Sequence, residues 1–217
     1  MSIVPAGRFS DWLRQMRAAL AGNSGMDVAC GDCRGCCTSS YFVKVRAHER
    51  AALERIGEEN LRPLPNARNG AMLMGFHENG HCFMFANGGC SIYANRPQTC
   101  RTYDCRVFTA AAMNAGPDKS EINERIANWR FEYPSARDEA EHRAVKAAAN
   151  FIRQHVVRFP GGRIPSRPSE VAVLAVKTYE IFLDPPGSDE EIAAAIINAS
   201  LEFDRQTHSQ EKAECLD

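Results

Sequence analysis

Apolar residues follow a helical period at both ends of this chain, and they run together in short blocks only in the middle. Phe9, Trp12-Leu13, Met16 and Leu20 recur at steps of three and four, which predicts a helix over Phe9–Leu20. Ser10 can cap it and Gly22 can end it. The run Tyr41-Phe42-Val43-Lys44-Val45 predicts a short strand. A helix from Ala47 to Glu59 follows, with Leu53 and Ile56 inward, and Pro63 and Pro65 stop it. Met72-Leu73-Met74-Gly75-Phe76 and His81-Cys82-Phe83-Met84-Phe85 flank Asn79-Gly80, and that arrangement predicts a β-hairpin. Asn87-Gly88-Gly89 predicts a second turn, leading into a third strand over Cys90–Tyr93. Arg96-Pro97 then opens a helical turn carrying Cys100.

The pattern changes at Ala115-Gly116-Pro117. Helices are predicted over Ser120–Trp129, Asp138–Val157, Ser169–Leu183 and Asp189–Gln206. Asp118 to Glu121 and Ser188 to Glu191 match the capping-box spacing, and Phe159-Pro160-Gly161-Gly162 and Asp184-Pro185-Pro186-Gly187 break the run. The expected fold is mainly α with a small β-hairpin region (α+β). A cysteine-rich metal-binding part over 1–116 precedes a helical C-terminal part over 117–217. The alanine-rich faces, with Ala144, Ala147, Ala148 and Ala149, can pack together or offer a groove to a protein partner.

At 217 residues and 44% hydrophobic, the chain can bury a core without cross-links. Its 26 basic and 27 acidic residues balance to a net charge of −1, so no basic excess points to nucleic acid. The first residues lack a secretory signal, and no apolar run is long enough to span a bilayer. A cytoplasmic location is expected, where thiols stay reduced, and this favours metal binding over disulfides.

Eight of the nine cysteines fall between Cys30 and Cys105. The first four read Cys30-Gly-Asp-Cys33-Arg-Gly-Cys36-Cys37, and Cys82, Cys90, Cys100 and Cys105 follow. A Cys-x2-Cys-x2-Cys run suits a cubane iron–sulfur cluster with a distant fourth ligand. Zinc usually takes two ligands from each of two short loops, and the later cysteine gaps are irregular for that. The spacing favours an iron–sulfur cluster over Zn2+ and leaves both open. Adjacent side chains point apart, so Cys36 and Cys37 seldom share one ion. Arg96, Arg101 and Arg106 can offset thiolate charge or pair with carboxylates, whereas Arg34 is expected to face solvent. His77 and His81 are read as hairpin-surface residues, Tyr93 and Tyr103 as packing residues, and Cys215 as incidental.

The run Cys-x2-Cys-x2-Cys-Cys, together with Cys90-Ser91-Ile92-Tyr93-x2-Arg96-Pro97-x2-Cys100-Arg101-x-Tyr103-x-Cys105, resembles the YkgJ-type cysteine-cluster family, described as zinc- or iron-chelating. The resemblance spans residues 30–105. It implies that Cys30, Cys33, Cys36, Cys37, Cys82, Cys90, Cys100 and Cys105 are the metal ligands, without saying which share an ion. A related cluster occurs in flagellin lysine methylases, where an iron–sulfur centre is implicated, so the resemblance also implies redox or methyl-transfer chemistry as an alternative. The residues themselves show no glycine-rich cofactor loop after a strand and no Ser/His/Asp nucleophile arrangement. An accessory, sensory or structural metal module is the leading expectation, with an iron–sulfur enzyme and metal storage or delivery as alternatives.

Overall fold

The computed structural model describes residues 3–22, 24–26, 28, 31–65, 67, 69–159 and 164–214, with side chains as far as 206. Cys30, Cys215 and the expected break at Pro160-Gly161-Gly162 lie outside the described residues. By packing, the chain forms two compact units, one of Met1–Ser24, Asp104–Gly116 and Arg125–Asp217, the other of Gly25–Tyr103 and Pro117–Glu124. The architecture is mainly helical with small sheets, as the hydrophobic pattern predicts.

The first unit is built on helices. Phe9–Leu20 is helical as expected and buries Phe9, Trp12, Leu13, Met16 and Ala19 along one stripe. The strand Val4–Arg8 runs straight into it and pairs in parallel with Trp129–Glu132, with a bulge between Pro5 and Gly7. Neither strand was expected, and the helix predicted to include Trp129 stops at Asn128. Trp129-Arg130-Phe131-Glu132 alternates buried and exposed positions, a two-residue period too short to stand out beside a helix.

Ser135 and Asp138 form a capping box that starts the helix Ala136–Gln154 two residues earlier than predicted. Ala144, Val145, Ala148, Ala149 and Ile152 of that helix are buried, as are Val171, Ala172, Ala175 and Val176 of the helix Pro168–Thr178. The two helices pack on each other. Small residues on both faces let the backbones approach closely, so most of the alanine-rich stripe forms core, while Ala147 stays exposed. The last helix, Asp189–Glu214, runs past the expected Gln206. Its start is held by the predicted bonds between Ser188 and Glu191.

The second unit surrounds a small apolar cluster of Val43, Val45, Ala52, Ile56, Met74, Met84 and Ile92. Its three-stranded antiparallel sheet places Met72–Met74 between Val43–Val45 and Leu61–Pro63. The hairpin expected between Met72–Phe76 and His81–Phe85 is therefore reduced to one bridge, Phe76 to Cys82. The Asn79-Gly80 turn does close, with His77 N–H donating to the His81 carbonyl at 2.8 Å, but Met72–Met74 has better partners elsewhere. The second predicted turn makes the true hairpin. Phe85–Ala86 pairs with Gly89–Cys90 around Asn87 and Gly88, which both adopt positive φ. The expected strand Cys90–Tyr93 stops at Cys90, and Tyr93–Asn95 is a tight helical turn. The helix predicted over Ala47–Glu59 spans Arg50–Ile56, because Gly57 turns the chain at φ +80°.

Candidate metal centre

Cys36 and Cys37 sit on one helical turn, Gly35–Thr38. Cys37 N–H donates to the Arg34 carbonyl at 2.8 Å, and Thr38 Oγ1 lies 3.2 Å from the same oxygen. Gly35 lies against Ile122, whose Cγ1 would stand 2.9 Å from any Cβ there, so only glycine fits without displacement. Thr38 Oγ1 also donates to Glu121 Oε2 at 2.7 Å. Lys119 Nζ donates to the Ser39 carbonyl, pairs with Asp118 at 2.7 Å and lies over the Tyr41 ring. Lys119, not Asp118, precedes the helix Ser120–Asn128, and its carbonyl accepts from Asn123. The capping-box residues expected at 118 and 121 thus brace the end of the cysteine turn.

The second cysteine segment docks directly on the first. Cys82 N–H donates to the Cys37 carbonyl at 2.7 Å, and Ser40 N–H donates to the Gly80 carbonyl at 2.9 Å. Phe85 N–H then bonds the Cys82 carbonyl at 2.8 Å, and Cys90 lies opposite Phe85 in the hairpin. Cys100 is on the helix Gln98–Thr102, which Thr99 Oγ1 ties to the Lys44 carbonyl at 2.6 Å and Gln98 N–H to Glu49 Oε1 at 2.6 Å. Cys82, Cys90 and Cys100 all pack on the same apolar cluster. Cys36 is exposed, whereas Cys33, Cys37, Cys82, Cys90 and Cys100 are half-buried.

The sulfurs feel one another. A hydrogen bond from Cys37 lowers the Cys36 thiol to about 7, against the opposing effect of burial, and the charge of Arg96 helps. Cys37 is pushed up, first by that same bond, then by burial and by Cys36, Cys82 and Cys90. Burial raises Cys82 and takes Cys100 up to about 12, and neighbouring thiols add to both. Gathered thiolates disfavour one another in the absence of a cation, and a bound divalent ion reverses that balance. Among the described residues, no three His, Cys, Asp or Glu side chains already stand in ion-holding geometry. The donor chemistry, all sulfur against an apolar wall, suits a soft metal.

Cys105 belongs to the first unit. It is buried, and Trp129 Nε1 donates to its Sγ at 3.2 Å. Beside it, Arg106 pairs with Asp104 at 2.8 Å and donates to the Ala6 carbonyl, so the carboxylate-pair reading of this arginine holds. Arg101 approaches Glu49 at 3.8 Å, also a carboxylate partner. Arg96 stacks on Tyr93 at 3.8 Å, and it is the arginine whose charge favours the Cys36 and Cys100 thiolates. Tyr93 is 66% exposed rather than packed, while Tyr103 packs on Tyr41 as expected. His77 and His81 rest edge-on against Phe83 and Phe85.

Arg34 departs most from expectation. Its Nε donates to the Gly88 carbonyl at 2.8 Å, and its Nη1 donates to the carbonyls of Gly31 at 2.7 Å and Cys33 at 3.0 Å. All three acceptors are backbone oxygens, which every residue type carries, so no sequence signal marks them.

Two cysteine-bearing segments are thus docked through their backbones, with an apolar wall behind Cys82, Cys90 and Cys100 of the second. Residues 29–127 match the CxxCxxCC family, whose description reads "Putative zinc- or iron-chelating domain". The match spans just under half of the chain. Searches of curated proteins and of solved structures found no match. Among the described residues, no helix is long and apolar enough to cross a membrane.

Proposed function

We propose that this chain is a thiolate metal module in which Cys36, Cys37, Cys82, Cys90 and Cys100 serve a soft metal together with the loop thiols Cys30 and Cys33. Cys105, also expected in the ligand set, is buried in the first unit, where its Sγ accepts from Trp129 Nε1. The bond from Cys82 N–H to the Cys37 carbonyl carries the proposal, because it seats the two cysteine segments on each other without help from a side chain. The Cys-x2-Cys-x2-Cys spacing favours an iron–sulfur cluster over zinc. Such a cluster would supply electron transfer or redox sensing, and zinc would supply folding energy alone. The module is accessory, sensory or structural.

The exposure of Cys36, and the presence of more sulfurs than one four-coordinate centre uses, favour a second reading, metal storage or delivery. An exposed thiolate gives an acceptor or donor protein a point of ligand exchange.

Elemental and sulfide analysis of anaerobically purified protein tests the proposal. The expected result is coloured protein with bound iron and sulfide, roughly four of each per chain for one cubane cluster. Colourless protein with stoichiometric zinc would exclude the iron–sulfur reading and keep chelation. Protein that holds no metal and takes none up would end both.

A further inference from the structure

The geometry points to Arg34 as the positioning residue that holds the first cysteine segment against the hairpin bearing Cys90, and this inference rests on the metal module just proposed. The guanidinium acts as a fork. Its Nε reaches across to the Gly88 carbonyl, while Nη1 closes on the Gly31 and Cys33 carbonyls of its own loop. Gly88 is at the tip of the two-residue turn joining Phe85–Ala86 to Gly89–Cys90. The backbone of Arg34 immediately precedes the turn Gly35–Thr38, and its carbonyl accepts from Cys37 N–H. One residue therefore fixes the loop of Cys33, the turn of Cys36 and Cys37, and the hairpin of Cys90.

The separation of the acceptors decides the residue type. Planar guanidinium donors point in fixed, diverging directions, whereas a lysine ammonium is a single point charge and cannot bridge both sides. A metal site needs its ligands held before the ion arrives, and residues that orient ligands typically change metal affinity by about 10–100-fold when removed. The bonds to Gly88 and Gly31 are solvent-exposed and Arg34 is not a member of the buried apolar cluster, so its loss bears on ligand placement more than on folding.

The test compares wild type, Arg34→Lys and Arg34→Ala, each loaded with cobalt(II) under anaerobic conditions. Three properties are measured: the ligand-field spectrum, the rate of metal release to excess chelator, and the melting of the metal-free protein. Arg34→Ala is expected to load the same number of ions, shift the ligand-field bands and release metal about 10-fold faster or more. Arg34→Lys is expected to fall short of rescue. Both metal-free variants are expected to melt as wild type does. Unchanged release from Arg34→Ala, or full rescue by lysine, overturns the inference. Metal-free melting of Arg34→Ala that falls well below that of wild type also overturns it, by assigning Arg34 to general stability. Wild type that binds no cobalt overturns the metal module itself, and this inference with it.

Discussion

Asp104 is buried among three donors, the Trp12 indole N–H at 2.8 Å, the Arg106 guanidinium at 2.8 Å and the Arg106 backbone N–H at 2.9 Å. A buried ion pair adds little net stability, but removing one partner leaves the other charge uncompensated. Asp104→Asn keeps the shape and deletes the charge, so it is expected to cost about 3–5 kcal/mol in urea unfolding. His142 offers a second test at this scale. It stacks on Phe9 at 4.4 Å and on Tyr133 at 5.5 Å, and Tyr133 O–H meets its Nδ1 at 2.7 Å. Burial, helped by the charge of Lys146, lowers its pKa from 6.5 to about 4. Between those values the unfolded chain binds a proton that the folded chain refuses, so stability falls as pH drops from 6.5 toward 4. The slope from this residue is at most roughly 1.4 kcal/mol per pH unit, less whatever water screens. Urea titrations at pH 7 and pH 5 should show the loss in wild type and a smaller one in His142→Phe. Equal losses would remove His142 as the cause.

At the scale of elements, the turn Gly35–Thr38 depends on contact with the first turn of the helix Ser120–Asn128. A Cβ at position 35 would meet Ile122 Cγ1 at 2.9 Å and Ile122 N at 3.2 Å, and backbone cannot move aside cheaply. Gly35→Ala is expected to destabilise the protein by about 1–3 kcal/mol and to weaken metal retention together with stability. Denaturant unfolding with and without metal checks both effects. The extent of the helix Phe9–Leu20 was legible, because a stripe of Phe9, Trp12, Leu13 and Met16 has one structural solution, but its N-cap is Arg8, and the expected cap Ser10 is buried inside the helix. The two-residue turn at Asn87-Gly88 was legible as well, since positive φ at both positions restricts the residue types. The strand Met72–Met74 was legible as a strand and misassigned in its pairing. Its partners Val43–Val45 and Leu61–Pro63 compete with the local hairpin, and sequence adjacency cannot rank them.

At the scale of the molecule, both packing units are assembled from separated stretches of chain. The first has a core of large buried side chains, among them Phe9, Leu13, Phe108, Trp129 and Ile152. The second has a small cluster with thiols in its wall, and metal at such a site contributes folding energy. Stripping metal with a chelator is therefore expected to increase amide exchange across 31–103 while most helical far-UV signal persists. Unchanged exchange in that range would show that metal adds nothing to the fold. The sequence by itself determined the helical class, the main helices, the thiol inventory and the spacing of the cysteine motif, because those depend on local period and composition. Only the tertiary structure decided the parallel pairing of Val4–Arg8 with Trp129–Glu132, the docking of Cys82 on Cys37, and the commitments of Arg34 and Arg106. Each of these contacts joins residues through backbone groups or a buried charge partner, and such choices are made only when the chain has folded back on itself.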